Sequence, residues 1–327
     1  MHSVEELVNI SSAIAHSVDE VQGGGGNTSV KIDDETMLIK ASGFELKQVS
    51  TDSGYVKVLY KKIQNFFDEV LTSSAYTDSD YSELIQGQAE GELRPSMETG
   101  FHAVLKAINL HSHSVYANLI CCSKDGKTLL AELFSDLNYV YVPYVNPGLA
   151  LSESVHRISQ AYKKENGSLP DLVFLENHGL IVSSESDIEC IALNKLVKKR
   201  ILVNFPELEI FPELESLEAA EDGLFSKTNY INNFVESEGL DLCFNNVLFP
   251  DQVVYLNPRK LAFENNKVKY LAKEKEARII DETLLSYVYL IKNLKKLKLG
   301  LKFLGKDVVN YLNNVETEKY RRKIAEN

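Results

Sequence analysis

Apolar residues early in the chain recur at helical spacing. Leu7, Val8, Ile10, Ile14 and Ala15 share roughly one face, which predicts a helix over 4–18. Four glycines follow, Gly23 to Gly26, and then the period shortens to two. Residues 29–32 and 36–40 read as a hairpin turning at Asp33-Asp34. A short helical turn over 44–49, a strand over 55–59 and a helix over 63–71 come next, while much of the polar, poorly periodic stretch 73–92 reads as loop. A helix over 98–108 leads into a strand carrying His111 and His113. A helix over 114–120 follows, with Ser112 or Ser114 as its cap. Beyond it the pattern gives a strand over 140–144, a helix over 150–164, a buried strand over 172–175 with its return over 180–182, and a helix over 187–205. The glutamate-rich segment 206–222 reads as an acidic connector. Strands over 253–256 and 268–271, an amphipathic helix over 283–299 and a charged helix over 307–323 come after it. The expected organisation is a domain over 1–205, the connector, and an α+β extension over 223–327 packed on the same domain.

Composition is that of an ordinary globular chain, with 44% hydrophobic and 25% charged residues over 327 positions. That length allows a sizeable core in one large or two modest domains. A formal net charge of -12 argues against nucleic acid as a main partner. Cys121, Cys122, Cys190 and Cys243 show no framework spacing and read as reduced thiols, the expectation for a cytoplasmic protein. The N-terminus does not resemble a signal peptide, and no apolar run approaches the roughly 18 residues of a membrane span.

The densest chemistry lies between Arg94 and His113. Side chains two apart on a strand point to one face, so His111 and His113 can grip one ion together. Glu98 opens the helix that leads into that strand, which lets a carboxylate meet the two imidazoles. His178, in Glu176-Asn177-His178-Gly179 at the end of a buried strand, is the candidate third imidazole. Three protein ligands with an open position is the arrangement of catalytic zinc sites, though imidazole also suits iron, cobalt, nickel and copper. His102, one helical turn after Glu98, reads equally as an outer partner or a plain buried histidine; His2, His16 and His156 read as structural. The glycine run with Asn27 is either an anion nest of backbone N–H groups or simply a turn. It fits neither common nucleotide-binding pattern. Ser42-Gly43 forms a second small polar turn, and Ser96 supplies a third hydroxyl. The basic face over 292–302 reads as the solvated side of a packed helix.

In their order along the chain, these motifs resemble the class II aldolase/adducin family. Gly26-Asn27-Thr28-Ser29 resembles the family's G-N-[ILT]-S turn, and Lys40-Ala41-Ser42-Gly43 its T-P-[ST]-G turn; both contact the substrate phosphate in the sugar-phosphate aldolases. Pro95-Ser96-Met97-Glu98 resembles P-S-S-E, whose carboxylate belongs to the metal site and acts as acid/base. His111-Ser112-His113 and Asn177-His178-Gly179-Leu180 match the H-x-H and N-H-G-[LM] motifs that carry the metal histidines. The resemblance spans 4–204. Its variants are similar to a branch that includes the aldolase halves of bifunctional rhamnulose-1-phosphate aldolase/alcohol dehydrogenases. Phe249-Pro250-Asp251-Gln252 and Glu318-Lys319-Tyr320-Arg321 resemble further elements of that branch. Its dehydrogenase half is not expected here, because no dinucleotide fingerprint occurs. Two features depart from the pattern. Met97 stands in place of a second serine, and none of Tyr139, Tyr141 and Tyr144 sits on a motif matching the proton-donating tyrosine of the fuculose-phosphate enzymes.

The resemblance implies an α/β fold, a three-layer α/β/α domain around a mainly antiparallel sheet, assembled as a homo-oligomer, a tetramer. It implies one divalent metal per chain, Zn2+, on His111, His113 and His178, with Glu98 as the catalytic acid/base. Gly26, Asn27, Ser42, Gly43 and Ser96 would surround a sugar or sugar-phosphate substrate. The implied reaction is retro-aldol cleavage of a ketose through a metal-stabilised enediolate. Sugar-phosphate epimerases, dehydratases and decarboxylases use the same fold, as do adducin-like binding modules that lack the metal histidines. All three histidines are present here, which favours an enzyme.

Overall fold

A computed structural model describes residues 2–70 and 76–326. Its helices are α1 (Val4–Ser12), α2 (Tyr60–Val70), α3 (Asp78–Gly87), α4 (Thr99–Val104), α5 (Val115–Cys121), α6 (Gly126–Phe134), α7 (Leu149–Asn166), α8 (Asp187–Asn204), α9 (Asn229–Glu238), α10 (Asp241–Asn245), α11 (Pro250–Tyr255), α12 (Glu274–Lys296), α13 (Lys306–Asn314) and α14 (Glu316–Glu326). Seven strands form the central sheet: β1 (Asn27–Lys31), β2 (Met37–Lys40), β3 (Tyr55–Val58), β4 (Ile108–Ser112), β5 (Tyr139–Val142), β6 (Leu172–Leu175) and β7 (Gly179–Ser184). Their order is β3-β2-β1-β4-β7-β6-β5, antiparallel throughout except for the parallel β5–β6 pair.

Side chains alternate across a strand, and the two cores obey that rule. Leu38, Leu172, Phe174, Leu180 and Val182 face a core built with α1, α5, α8 and α12. Their neighbours Met37, Ile39, Val173, Leu175 and Ile181 face a second core with α2, α3, α4 and α7. The sheet is therefore covered on both faces, a three-layer α/β/α arrangement with a mainly antiparallel sheet, as expected. His111 pairs with Ile181 across the β4–β7 ladder and contacts Phe101 edge-on, so it points into the second core.

A smaller antiparallel sheet takes the order β10 (Leu261–Glu264), β11 (Lys267–Tyr270), β9 (Gly223–Phe225) and β8 (Glu218–Ala220). Strand β8 falls within the stretch expected as connector. The remainder of the C-terminal region is helical and packs through α12 against α5.

Four expectations differ from the structure. The 73–92 stretch is not all loop: α3 starts there at Thr77, whose backbone N–H donates to Asp80 at 2.8 Å in a capping box, and it buries Tyr81 and Ile85 one turn apart. (Residues 73–75, and Leu71 at the end of the predicted helix before them, lie outside the described residues.) Helix α6 stands where no element was expected. Residues 253–256 are not a strand but the end of α11, with Pro250 in the first turn. The terminal helix divides at Val315, whose extended backbone (ψ 136°) separates α13 from α14.

Candidate metal centre and cavity

Three strand ends meet at one edge of the central sheet. Asn27 at the start of β1 pairs with His111 near the end of β4, and Ser112 pairs with Leu180 of β7. The β6–β7 turn carries His178. Asn177 in that turn adopts a left-handed backbone (φ 52°), and its amide donates to the carbonyls of Leu248 and Lys302, both at 2.7 Å. Asn tolerates that conformation better than other non-glycine residues. Gly26 is also left-handed (φ 67°), and a Cβ there would sit 2.8 Å from the carbonyl oxygen of His111. Only glycine lets the chain pass this close to β4.

These constraints bring His111, His113 and His178 together, with one donor atom of each within 4.8 Å of the others. All three are buried. His111 Nδ1 donates to the Leu180 carbonyl at 3.0 Å, which leaves its Nε2 free. That Nε2 lies 3.2 Å from His113 Nε2. The outer nitrogen of His113, Nδ1, lies 3.0 Å from Asp251 Oδ2. Burial keeps His111 neutral by lowering its pKa well below the usual imidazole value. Three imidazoles that each turn a nitrogen toward one point, two of them with the outer nitrogen against a fixed oxygen, form a donor set that suits a divalent cation.

Glu98 is the N-cap of α4, at the helix start as expected, while the helix ends at Val104 and Ile108 already belongs to β4. Its Oε1 lies 3.2 Å from His178 Nε2 and 3.7 Å from His111 Nε2. Its Oε2 accepts from the side-chain amide of Asn27. Burial raises the Glu98 carboxyl and the contact with His178 lowers it, and the net direction is downward. His102 resolves as an outer partner. It is fully buried, with Nδ1 2.8 Å from the Ser29 hydroxyl and Nε2 against the Asn27 carbonyl oxygen. Burial lowers its pKa to about 3, so the ring is neutral. It donates from Nε2, accepts at Nδ1, and thereby turns the Asn27 NH2 toward Glu98.

The centre opens into a cavity of about 370 Å³. Gly26, Asn27, Ser42, Gly43, Ser96, Glu98, His113 and His178 all line it, while His111 lies behind. The Ser42 and Ser96 turns are held side by side by the Ser42 N–H donating to the Arg94 carbonyl at 2.8 Å and by an Ala41–Pro95 bridge. Both ends of the Asn27 side-chain amide are engaged, by His102 and Glu98.

Several cavity residues had no role in the sequence reading. Lys40 is buried beneath the Ser42 turn, its Nζ donating to the Phe44 carbonyl at 2.6 Å; burial and the nearby Arg321 lower its pKa to about 8. The opposite wall comes from α11 and α14: Asp251, Tyr255, Glu318, Arg321 and Ile324. Pro250-Asp251 is a helix-start pair, the one local signal that could have moved 250–256 from strand to helix and set Asp251 beside His113. Arg321 stands in the Glu318-Lys319-Tyr320-Arg321 motif that resembles the family branch, but no spacing along the chain brings it to the site, which it reaches through tertiary packing.

Residues 5–200 match the family model described as Class II Aldolase and Adducin N-terminal domain, and the chain belongs to that family. It is 31% identical over 204 residues to a Bacillus subtilis (strain 168) protein described as uncharacterized oxidoreductase YuxG; the match covers 57% of this chain and 27% of that one, so the chain spans about a quarter of this relative's length. Among solved structures, it is similar to the N-terminal class II aldolase domain of a conserved Thermoplasma acidophilum protein, with TM-score 0.53 and 24% identity over 63% of this chain and 94% of that one. It is also similar to YgbL from Klebsiella pneumoniae, a putative aldolase/epimerase/decarboxylase, with TM-score 0.45 and 17% identity over 64% of this chain and 94% of that one. The aldolase/adducin membership expected from the motifs therefore holds, whereas these relatives do not single out the bifunctional rhamnulose-1-phosphate branch. Among the described residues, no helix is long and apolar enough to cross a membrane.

Proposed function

We propose that this chain is a metal-dependent class II aldolase that cleaves a ketose, phosphorylated at one end, by retro-aldol chemistry. The observation that carries this reading is the position of Glu98. Its carboxylate lies 3.2 Å from His178 Nε2, in a cavity whose turns present Gly26, Ser42, Gly43 and Ser96. His111, His113 and His178 would hold the divalent cation, zinc by the family resemblance, and when bound it polarises a substrate carbonyl and offsets negative charge that develops beside it. The chain's own residues do the rest. The Gly26, Ser42 and Ser96 turns bind the anionic end and so fix the register of the sugar chain. Asn27 holds one oxygen of Glu98, which leaves the other to move a proton: in cleavage the hydroxyl on the departing carbon loses its proton as that carbon leaves as the aldehyde, and the carbon next to the carbonyl takes a proton from Glu98 in place of the broken C–C bond. The His102–Ser29 pair keeps the Asn27 amide from flipping.

Glu98→Gln tests the reading. Proton exchange at dihydroxyacetone phosphate in deuterated water should fall by about 10²–10⁴-fold, while metal content stays that of wild type. Full exchange in the variant would remove Glu98 as the base. Wild-type protein that cannot be loaded with zinc, manganese, iron or cobalt would end the aldolase reading and favour a binding module.

A further inference from the structure

The metal histidines all lie within the family-matched residues 5–200, yet one of them is supported from outside that region. Asp251 of α11 places Oδ2 3.0 Å from His113 Nδ1. Its other oxygen accepts from Arg321 Nη2 of α14 at 2.7 Å. Arg321 in turn donates through Nη1 to Glu318 at 3.0 Å and through Nη2 to the Tyr255 hydroxyl at 3.3 Å. Asp251 is only 2% exposed and has no solvent to satisfy it. The pair also explains Gly25: a Cβ there would sit 2.7 Å from His113 Nδ1 and 2.8 Å from Asp251 Oδ2. The glycine run thus leaves room for the His113–Asp251 contact as well as for a substrate anion.

We propose that Asp251, clamped by Arg321, is the positioning residue of the metal centre, fixing the tautomer and orientation of His113 from the C-terminal region. The inference rests on the metal-site reading above. A neutral imidazole that donates from Nδ1 to a carboxylate presents a more basic Nε2 at a fixed angle. His111 has no such partner and leans on a backbone carbonyl instead. The region beyond residue 200 is by this account part of the metal centre.

Metal affinity, measured by competition with a chromophoric chelator for zinc and cobalt, separates the possibilities. Wild type should bind one ion per chain; no binding by wild type overturns the metal-site reading and this inference with it. Given wild-type binding, Asp251→Asn should weaken affinity about 10–100-fold and alter the visible spectrum of the cobalt form, a change that a purely structural role would not produce. Affinity within twofold of wild type with an unchanged spectrum overturns the positioning role. Because Asp251→Asn removes one of the two carboxylates that Arg321 meets and risks misfolding, Gly25→Ala serves as a second variant that wedges His113 from Asp251 without substituting either. Folded Gly25→Ala protein should show the same direction of loss and spectral change. Wild-type affinity and spectrum in that variant overturn the proposal.

Discussion

His111 and His113 stand two residues apart and aim their Nε2 atoms at one point, but the molecule holds them in different ways. His111 is anchored from within the sheet. Its Nδ1 uses a Leu180 carbonyl, its ring packs on Phe101, and the neighbouring Ser29–His102–Asn27–Glu98 chain is built of hydrogen bonds that need no charge until Glu98. His113 is anchored from the C-terminal region by charge, through Asp251 and Arg321. Neutral support of the first kind comes with the fold's own ladders. Charged support of the second kind depends on a carboxylate and a guanidinium that are costly to bury unless each has the other. One side of the centre is therefore as stable as the sheet, and the other only as stable as the docking of α11 and α14.

The sharpest way to break this comparison is to remove each histidine in turn. His111→Ala and His113→Ala should each weaken metal binding by more than about 100-fold, beyond the loss expected for an outer partner alone. Without metal they should part company. His111 is fully buried and its loss leaves a void against Phe101 and an unpaired Leu180 carbonyl, a cost of about 2–4 kcal/mol in urea unfolding. Asp251 keeps Arg321 when His113 is lost, so His113→Ala should cost about 1 kcal/mol. Equal costs would mean that the two supports do not differ in kind.

Much of the first support was legible in the sequence, because it is local. The His-x-His spacing, the buried strand ending at His178 and the Glu98 turn each report on neighbours a few residues away, and period two fixes which face they share. The role of His102 stayed open because its choice between core and network depends on Asn27, which reaches it only across the β1–β4 ladder. The second support was nearly invisible. Asp251 and Arg321 are far from the histidines in sequence, and the apolar run Val253-Val254-Tyr255-Leu256 looks like a strand until Pro250 at the helix start is given its weight. Helix α3 escaped for a related reason, since its cap and two buried positions are sparse among polar residues.

Acid should separate the two supports next. The folded-state pKa of His102 is about 3, below the roughly 6.5 of a free imidazole, so the unfolded chain binds the extra proton first. Its contribution is fully present above pH 6.5 and is lost as the pH falls towards and through 3. Stability should decline by about 1.4 kcal/mol per pH unit for this group across that window. His102→Gln should remove one proton from the slope of unfolding free energy against pH, measured between pH 4 and 6.5. An unchanged slope would show that His102 is not held neutral by burial and that the sheet-side chain is organised differently.

The smallest effect concerns the residue that joins the two regions. Asn177 donates to the carbonyls of Leu248 and Lys302 from the turn that carries His178, so it fastens the sheet edge to the C-terminal region. Asn177→Gly removes both bonds but keeps the left-handed backbone, and should cost about 1–2 kcal/mol. Asn177→Ala removes the same bonds but, unlike the glycine variant, keeps a Cβ at φ 52°, a cost of about 1 kcal/mol relative to glycine. The difference between the two variants isolates the backbone, and the part they share isolates the fastening. If that fastening carries the docking of α11 and α14, both variants should loosen protection of α14 amides in hydrogen exchange while the β4 amides stay protected. Equal loss in β4 and α14 would mean that the two supports unfold as one unit, and the contrast between His111 and His113 would then be one of chemistry without a difference in stability.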